Sequence, residues 1–249
     1  MHRVITILGI KIKFFTQQKL LKKIFKYIKR EKPSKYDYRY AKSLKLAMIK
    51  IAAEESAQFV IKNCISAPVI KDKPTLVSYA LNQVDVDGMY MEFGVYKGYS
   101  INRIAKEIPD KTVYGFDSFE GLPETWIRKF KKGHFSMDGL PPVEENVKLI
   151  KGWYNDTLPG FIQEHGDFKI AFLHSDSDLY SSTKTTLEYL KDHFQDGSVI
   201  VFDEYFNYAG WQEHEHKAFC EFLDETGYKV EYLGYCDSKC PLAVRLRKN

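Results

Sequence analysis

From about residue 86 onward the chain alternates short, nearly continuous apolar runs with amphipathic stretches of helical period, and this alternation restricts the fold more than any other feature. The apolar runs fall at 89–95, 112–116, 147–153, 170–174 and 198–202, and the helical stretches at 100–108, 183–194 and 214–226. A strand that is apolar at almost every position has both faces buried, as in a parallel sheet covered by helices on either side. Two further β segments, 228–235 and 242–246, close the chain. The expected class is α/β, and in open sheets of this kind ligands bind beyond the carboxyl ends of the strands.

Those ends carry the chemistry. The first run finishes in Glu92-Phe93-Gly94-Val95-Tyr96-Lys97-Gly98. Gly94 and Gly98 permit a tight turn and the close approach of a ligand, and Glu92 sets a carboxylate beside it. The spacing is not G-x-G-x-x-G, which argues against a pyrophosphate cradle. The second run ends in Phe116-Asp117-Ser118, and an acidic residue about 20 positions after a glycine turn suits ribose hydroxyls. The same Asp-Ser pair also suits a helix N-cap. Taken together, the two strand ends favour a nucleoside site.

Two later strands end in His174-Ser175-Asp176-Ser177-Asp178 and in Asp203-Glu204. Four carboxylates on one rim repel each other unless a hard cation or a shared proton compensates them. A helix cap or a loop start is the plainer reading of either motif. Tyr205, Tyr208, Trp211, His214 and His216 follow and form a candidate acceptor wall, with solvated helix residues as the alternative for the two histidines. Cys236 and Cys240 flank a turn without a second ligand pair, so a structural zinc site is not indicated.

The first 35 residues differ in composition. The whole chain of 249 residues has a net charge of +4, yet residues 1–35 hold +10, so the remainder is acidic at −6. Within 17–30, Leu20, Leu21, Ile24, Phe25 and Ile28 share one helical face, with lysines around the rest. A basic amphipathic helix of this kind can lie on an anionic membrane or pack on a partner subunit or on the domain itself. Pro33-Ser34 makes a hinge, and 41–64 reads as a second helix with an apolar stripe of Leu44, Ala47, Met48, Ile51 and Ala52. A third segment starts at Lys73-Pro74 and runs to about Asn82. The domains expected are a basic arm (1–35), N-terminal helices (36–85) and a nucleotide-type domain (86–249).

Composition removes several classes. Gly and Pro number 15 and 9 and aromatics make up 15%, which excludes disorder and fibrous repeats. Four cysteines are too few for a disulfide scaffold. No stretch approaches the roughly 18–20 consecutive apolar residues of a membrane span. The basic arm comes without any nucleic-acid-binding signature. The expectation is a cytoplasmic protein with no nucleic-acid partner, with peripheral contact at the inner face of the membrane and homo-oligomerisation left open.

The motifs named above, read with Val113-Tyr114-Gly115-Phe116-Asp117-Ser118-Phe119-Glu120-Gly121-Leu122-Pro123 and Gly152-Trp153-Tyr154-Asn155-Asp156-Thr157-Leu158-Pro159, resemble the macrocin O-methyltransferase (TylF-type) family of class I S-adenosylmethionine-dependent methyltransferases. Asp176-Ser177-Asp178-Leu179-Tyr180-Ser181-Ser182-Thr183 and Val201-Phe202-Asp203-Glu204-Tyr205 continue the match in order, over about residues 86–235. The resemblance implies a Rossmann-like, seven-stranded, mostly parallel sheet with helices on both faces, plus an N-terminal helical extension. It implies that Glu92, Gly94, Gly98, Asp117 and Ser118 hold S-adenosylmethionine, with Gly152 and Trp153 near its adenine. It further implies Mg2+ on Asp176, Asp203 and Glu204, with Asp176 and Asp178 catalytic, Asp178 being the base toward a hydroxyl of a sugar or glycan-type acceptor. Two positions depart from the family: Glu204 replaces an aspartate, and Ser175 replaces an apolar residue, a change expected to affect packing alone. A non-catalytic nucleoside-binding regulator attached to a membrane and a nicotinamide oxidoreductase are the alternative functions.

Overall fold

The computed structural model describes residues 4–7, 10–13, 40, 42–126, 130–237 and 241–248. The chain divides into two units, 1–50 and 51–249. In the first, Val4–Ile7 (β1) and Ile10–Lys13 (β2) pair antiparallel. The amphipathic stripe from Leu20 to Ile28 and the Pro33-Ser34 hinge lie outside the described residues. Helix α1 (Leu44–Asn63) continues into the second unit. Its expected stripe is not a core face: Leu44, Met48 and Ile51 are exposed, whereas Ala52 and Ser56 are buried. The helix is anchored instead by Phe59, which packs among Tyr205, Phe206 and Trp211, and by Ser56, whose hydroxyl accepts from the Asn207 amide at 2.8 Å. No described helix is long and apolar enough to cross a membrane.

In the second unit, seven strands among the described residues form one sheet: Met89–Phe93 (β3), Val113–Asp117 (β4), Val147–Lys151 (β5), Ile170–Ser175 (β6), Val199–Phe202 (β7), Lys229–Tyr235 (β8) and Leu242–Arg247 (β9). Their order is β5-β4-β3-β6-β7-β9-β8, parallel except where β9 pairs antiparallel with β7 and β8. Helices α2 (Lys73–Leu81) and α3 (Tyr99–Glu107) cover one face, while α4 (Tyr154–His165), α5 (Tyr180–Leu190) and α6 (Glu215–Thr226) cover the other. The strands alternate between the two cores: Phe172, Val199 and Val201 point to the α2/α3 side, and Leu173, Ile200 and Phe202 to the α4–α6 side. That period-2 alternation of apolar side chains on both faces makes the strands read as continuous hydrophobic runs. This is a Rossmann-like arrangement, a seven-stranded, mostly parallel sheet with helices on both faces, as expected.

Helix α4 is not apparent in the sequence, because Asn155-Asp156 and Pro159-Gly160 are turn-forming pairs. Pro159 nevertheless lies inside the helix, with Leu158 and Phe161 buried on the sheet and Gly166 (φ 66°) ending it. Burial of the apolar face there outweighs one lost backbone hydrogen bond. The expected helix at 183–194 begins earlier, at Tyr180, and its last turn tightens into a 3-10 segment at Lys191–His193.

Candidate active site

Chain order reverses between β3 and β6, which are neighbours in the sheet, and such a switch point opens a crevice beyond the strand ends. The register brings the motifs into one row there. Phe93 pairs with Phe116 on one side and with Ser175 on the other, and Ser175 pairs with Phe202. The next residue on each strand is therefore Asp117, Gly94, Asp176 or Asp203, side by side. Backbone bonds hold the row: Gly94 N donates to Phe116 O at 2.9 Å, Asp176 N to Phe93 O at 2.8 Å, and Asp203 N to Ser175 O at 2.9 Å. A cavity of about 920 Å³ opens on this row and is walled by Tyr96, Ser118, Trp153 and Asp178 among others. Its size lies toward the upper end of roughly 300–1,000 Å³ for small-molecule sites, with room for two ligands.

At the donor end, Gly94 (φ 94°), Tyr96 (φ 46°) and Gly98 (φ 78°) take left-handed conformations, and Gly98 starts α3. Asp117 organises the turn: its Oδ2 accepts from Val95 N at 2.9 Å and Tyr96 N at 2.8 Å, and its Oδ1 accepts from Phe119 N at 2.7 Å. A carboxylate offers about four acceptor sites, so Oδ1 keeps one for a further donor. Ser118 lies in the cavity wall, and its hydroxyl accepts from Glu120 N at 3.1 Å.

Three of the residues expected to hold the donor are placed differently. Glu92 is fully buried beneath the turn, its Oε1 accepting from Ser100 Oγ at 2.9 Å and its Oε2 lying 2.9 Å from His174 Nδ1. Both oxygens are engaged, so Glu92 supports the site from below. Gly98 and Gly152 also lie outside the cavity wall, and Gly152 N donates to Asp117 O at 3.0 Å. Trp153, next to Gly152, lines the cavity.

The carboxylates converge as the strand ends suggested. Oxygens of Asp176, Asp178 and Glu204 lie within 4.8 Å of one another, and His174, Asp176 and Asp203 form an overlapping group. Asp178 has a left-handed backbone (φ 63°), a conformation that suits a tight turn and that aspartate tolerates. The oxygen-only group contains Asp178, while the expected Asp203 joins Asp176 in the group with His174. Asp203 also faces two basic groups: Lys73 donates to its Oδ2, and His174 Nε2 lies 3.6 Å from its Oδ1.

Charge in this cluster is unevenly distributed. Burial raises Asp176 and Glu204 well above the usual carboxylate range, and the neighbouring Asp203 charge raises them further. Burial, then Asp203, raises Asp178 to about 7. Asp203 goes the other way: burial opposes its ionisation, but His174 and Lys73 hold it well below the usual range. His174 rises to about 10, because Asp203 and Glu92 outweigh the burial that would lower it. His174 Nε2, Asp203 Oδ1 and Glu204 Oε2 are buried without a hydrogen-bond partner among the described residues. The two unpartnered carboxylate oxygens, of Asp203 and Glu204, beside an oxygen-only group fit a hard divalent cation.

Ser175 does more than pack. Its hydroxyl donates to Glu215 Oε1 at 2.7 Å, and Glu215 Oε2 accepts from the Glu204 amide at 2.9 Å. Glu215 is fully buried on α6, and burial raises its carboxyl to about 8. Ser175 and Glu215 thus form a buried polar bracket that orients Glu204. The hydroxyl is required because a buried carboxyl next to an apolar residue would lack a partner.

The expected acceptor wall of Tyr205, Tyr208, Trp211, His214 and His216 is not in the cavity lining. Tyr205 and Trp211 are core residues around Phe59, and His216 Nδ1 lies 2.9 Å from Tyr205 Oη. The wall is supplied instead by the connection between β4 and β5, where Leu122 and Trp126 pack with Leu179, and Phe130 stacks on Trp126 at 5.3 Å. Cys236 is buried, and Cys240 lies outside the described residues.

Residues 91–205 match a family described as a methyltransferase domain. Among curated proteins, the chain is 27% identical over 158 residues to 8-demethyl-8-(2,3-dimethoxy-alpha-L-rhamnosyl)-tetracenomycin-C 4'-O-methyltransferase of Streptomyces olivaceus, a match covering 52% of this chain and 58% of that protein. It is 27% identical over 145 residues to demethyldecarbamoylnovobiocin O-methyltransferase of Streptomyces niveus, covering 49% and 54%. The matches thus span little more than half the length of these curated relatives. Among solved structures, a calicheamicin methyltransferase superposes with a TM-score of 0.59 at 25% identity, over 69% of this chain and 77% of the other. Residues 91–205 therefore resemble a methyltransferase domain, on a Rossmann-like fold, and the curated proteins the chain is similar to are O-methyltransferases.

Proposed function

We propose that this chain transfers a methyl group from S-adenosylmethionine to a hydroxyl of a sugar or glycan-type acceptor, as an O-methyltransferase of the macrocin type aided by a divalent cation. The observation that supports this most is a single cavity reaching from the glycine turn and Asp117 to the carboxylate cluster. In this reading the turn from Gly94 to Lys97, together with Asp117, Ser118 and Trp153, holds the donor. Glu92, Gly98 and Gly152 shape that turn from beneath. Asp176, Asp178 and Glu204 would hold Mg2+, with Asp203 behind them. When bound, the donor supplies an electrophilic sulfonium methyl and the cation lowers the pKa of the acceptor hydroxyl. Asp178, in the cavity wall beside the other carboxylates, takes the hydroxyl proton. Leu122, Trp126 and Phe130 exclude water and fix the acceptor's orientation.

A nucleoside-binding regulator has no use for a carboxylate cluster opening on the same cavity, and a nicotinamide enzyme would be expected to carry a different glycine spacing. Incubation with labelled S-adenosylmethionine or NAD, over a panel of nucleotide sugars and surface-glycan fragments, separates these readings by mass spectrometry. The expected product is a sugar carrying one added methyl, formed in the presence of Mg2+ and lost on exhaustive chelation. Binding of NAD without methyl transfer would overturn the assignment; transfer that survives chelation would remove the metal alone.

For the arm we propose reversible attachment to an anionic membrane surface, from the +10 charge of residues 1–35. Each basic residue near such a surface contributes about 1 kcal/mol. The full chain should sediment with anionic liposomes and a version lacking residues 1–35 should not; equal, negligible pelleting of both would exclude the role.

A further inference from the structure

Lys73 had no assigned chemistry in the sequence, yet it projects into the carboxylate cluster. Its ammonium donates to Asp203 Oδ2 and lies 3.6 Å from Asp176 Oδ2, with the side chain 31% exposed. Lys73 is the first residue of α2, and Asp72 fixes where that helix begins: Asp72 Oδ1 accepts from Thr75 N at 2.9 Å and from Thr75 Oγ1 at 2.6 Å. Pro74 follows in the first turn, and Leu76, Val77, Ala80 and Leu81 bury the helix. The lysine is therefore held at the cavity by a capped, buried element. A cation in the first turn works against the helix macrodipole, so nothing in α2 itself favours it there. Its stabilising partners are the two aspartates across the cavity.

We infer that Lys73 is a tethered counter-ion of the carboxylate cluster, holding Asp203 and reaching Asp176, so that a divalent cation binds there only weakly while Lys73 keeps its charge. This rests on the methyltransferase reading, in which the same carboxylates would hold Mg2+. A metal at Asp176, Asp178 and Glu204 shares Asp176 with the ammonium and is repelled by it. Repulsion between cations across a partly buried cluster is screened far less than on an open surface.

The test is direct titration of Mn2+ into the metal-stripped full chain, followed by calorimetry and electron paramagnetic resonance, in wild type, Lys73→Gln and Lys73→Arg. Lys73→Gln should bind Mn2+ on the order of tenfold tighter or more, while Lys73→Arg, which keeps the charge, should stay near wild type. Equal or weaker binding by Lys73→Gln would overturn the inference, as would tightening of Lys73→Arg by the same factor. If Lys73→Gln proves unfolded without metal, its melting transition in excess Mn2+ decides: recovery supports the counter-ion role, and no recovery overturns it. S-adenosylhomocysteine binding by the same wild-type sample distinguishes the two readings, because its absence would sink the methyltransferase assignment whatever the Mn2+ titration gives.

Discussion

Gly94→Ala is expected to abolish S-adenosylhomocysteine binding and to destabilise the domain by about 3 kcal/mol or more. Gly94 has φ 94°, and a Cβ there would lie 1.8 Å from the Asp176 carbonyl oxygen and 2.6 Å from its carbon. Neither side can retreat cheaply, because Gly94 N donates to Phe116 O and Asp176 N donates to Phe93 O. The glycine turn and the carboxylate strand end share one backbone contact, so a single methyl group should disturb both halves of the cavity. Gly210→Ala is the control: its φ is 82°, but nothing lies within 4 Å of the added carbon. That variant should be destabilised only by the left-handed strain it introduces, roughly 1–2 kcal/mol. Urea unfolding and calorimetry measure both effects; a Gly94→Ala protein as stable as Gly210→Ala, with unchanged affinity, would refute the contact.

The contrast between Gly94 and Lys73 illustrates what the sequence discloses. Strand ends were legible because the central strands are buried on both faces, which leaves a clear apolar run followed by an abrupt polar terminus at Asp117, Asp176 or Asp203. A parallel sheet then carries those termini to one rim, so residues far apart in sequence could be grouped without knowing any distance. Lys73 and Glu215 gave no such signal. Each sits in a helix among other charged residues, and its role comes from which helix packs over which strand end. Sequence spacing does not encode that. The same holds for the aromatic wall: Tyr205 and Trp211 are close in sequence to Asp203, but α1 turns Phe59 onto them and draws both into the core. Trp126 and Phe130 lie far from the carboxylates in sequence and face the same cavity.

Glu92→Gln should cost about 3 kcal/mol at neutral pH, since it takes from the buried His174 cation the carboxylate 2.9 Å from its Nδ1. Glutamine keeps the shape and can still accept from Ser100 Oγ, so the loss isolates the charge. The pH dependence carries the sharper test. His174 is raised from 6.5 to about 10 in the folded protein, so the stability it confers is complete below pH 6.5 and is lost as pH rises through about 10. Removing the Glu92 charge lowers the folded value toward 6.5, leaving the variant less to lose over that range. The stability difference between wild type and Glu92→Gln should therefore be largest near pH 6.5 and shrink toward pH 10. Measured with chelator present, so that bound metal adds nothing to the native state, urea midpoints at several pH values give this difference directly. A gap that stays constant across the range would mean that His174 is neutral in the fold, and that Glu92 stabilises it through hydrogen bonding alone.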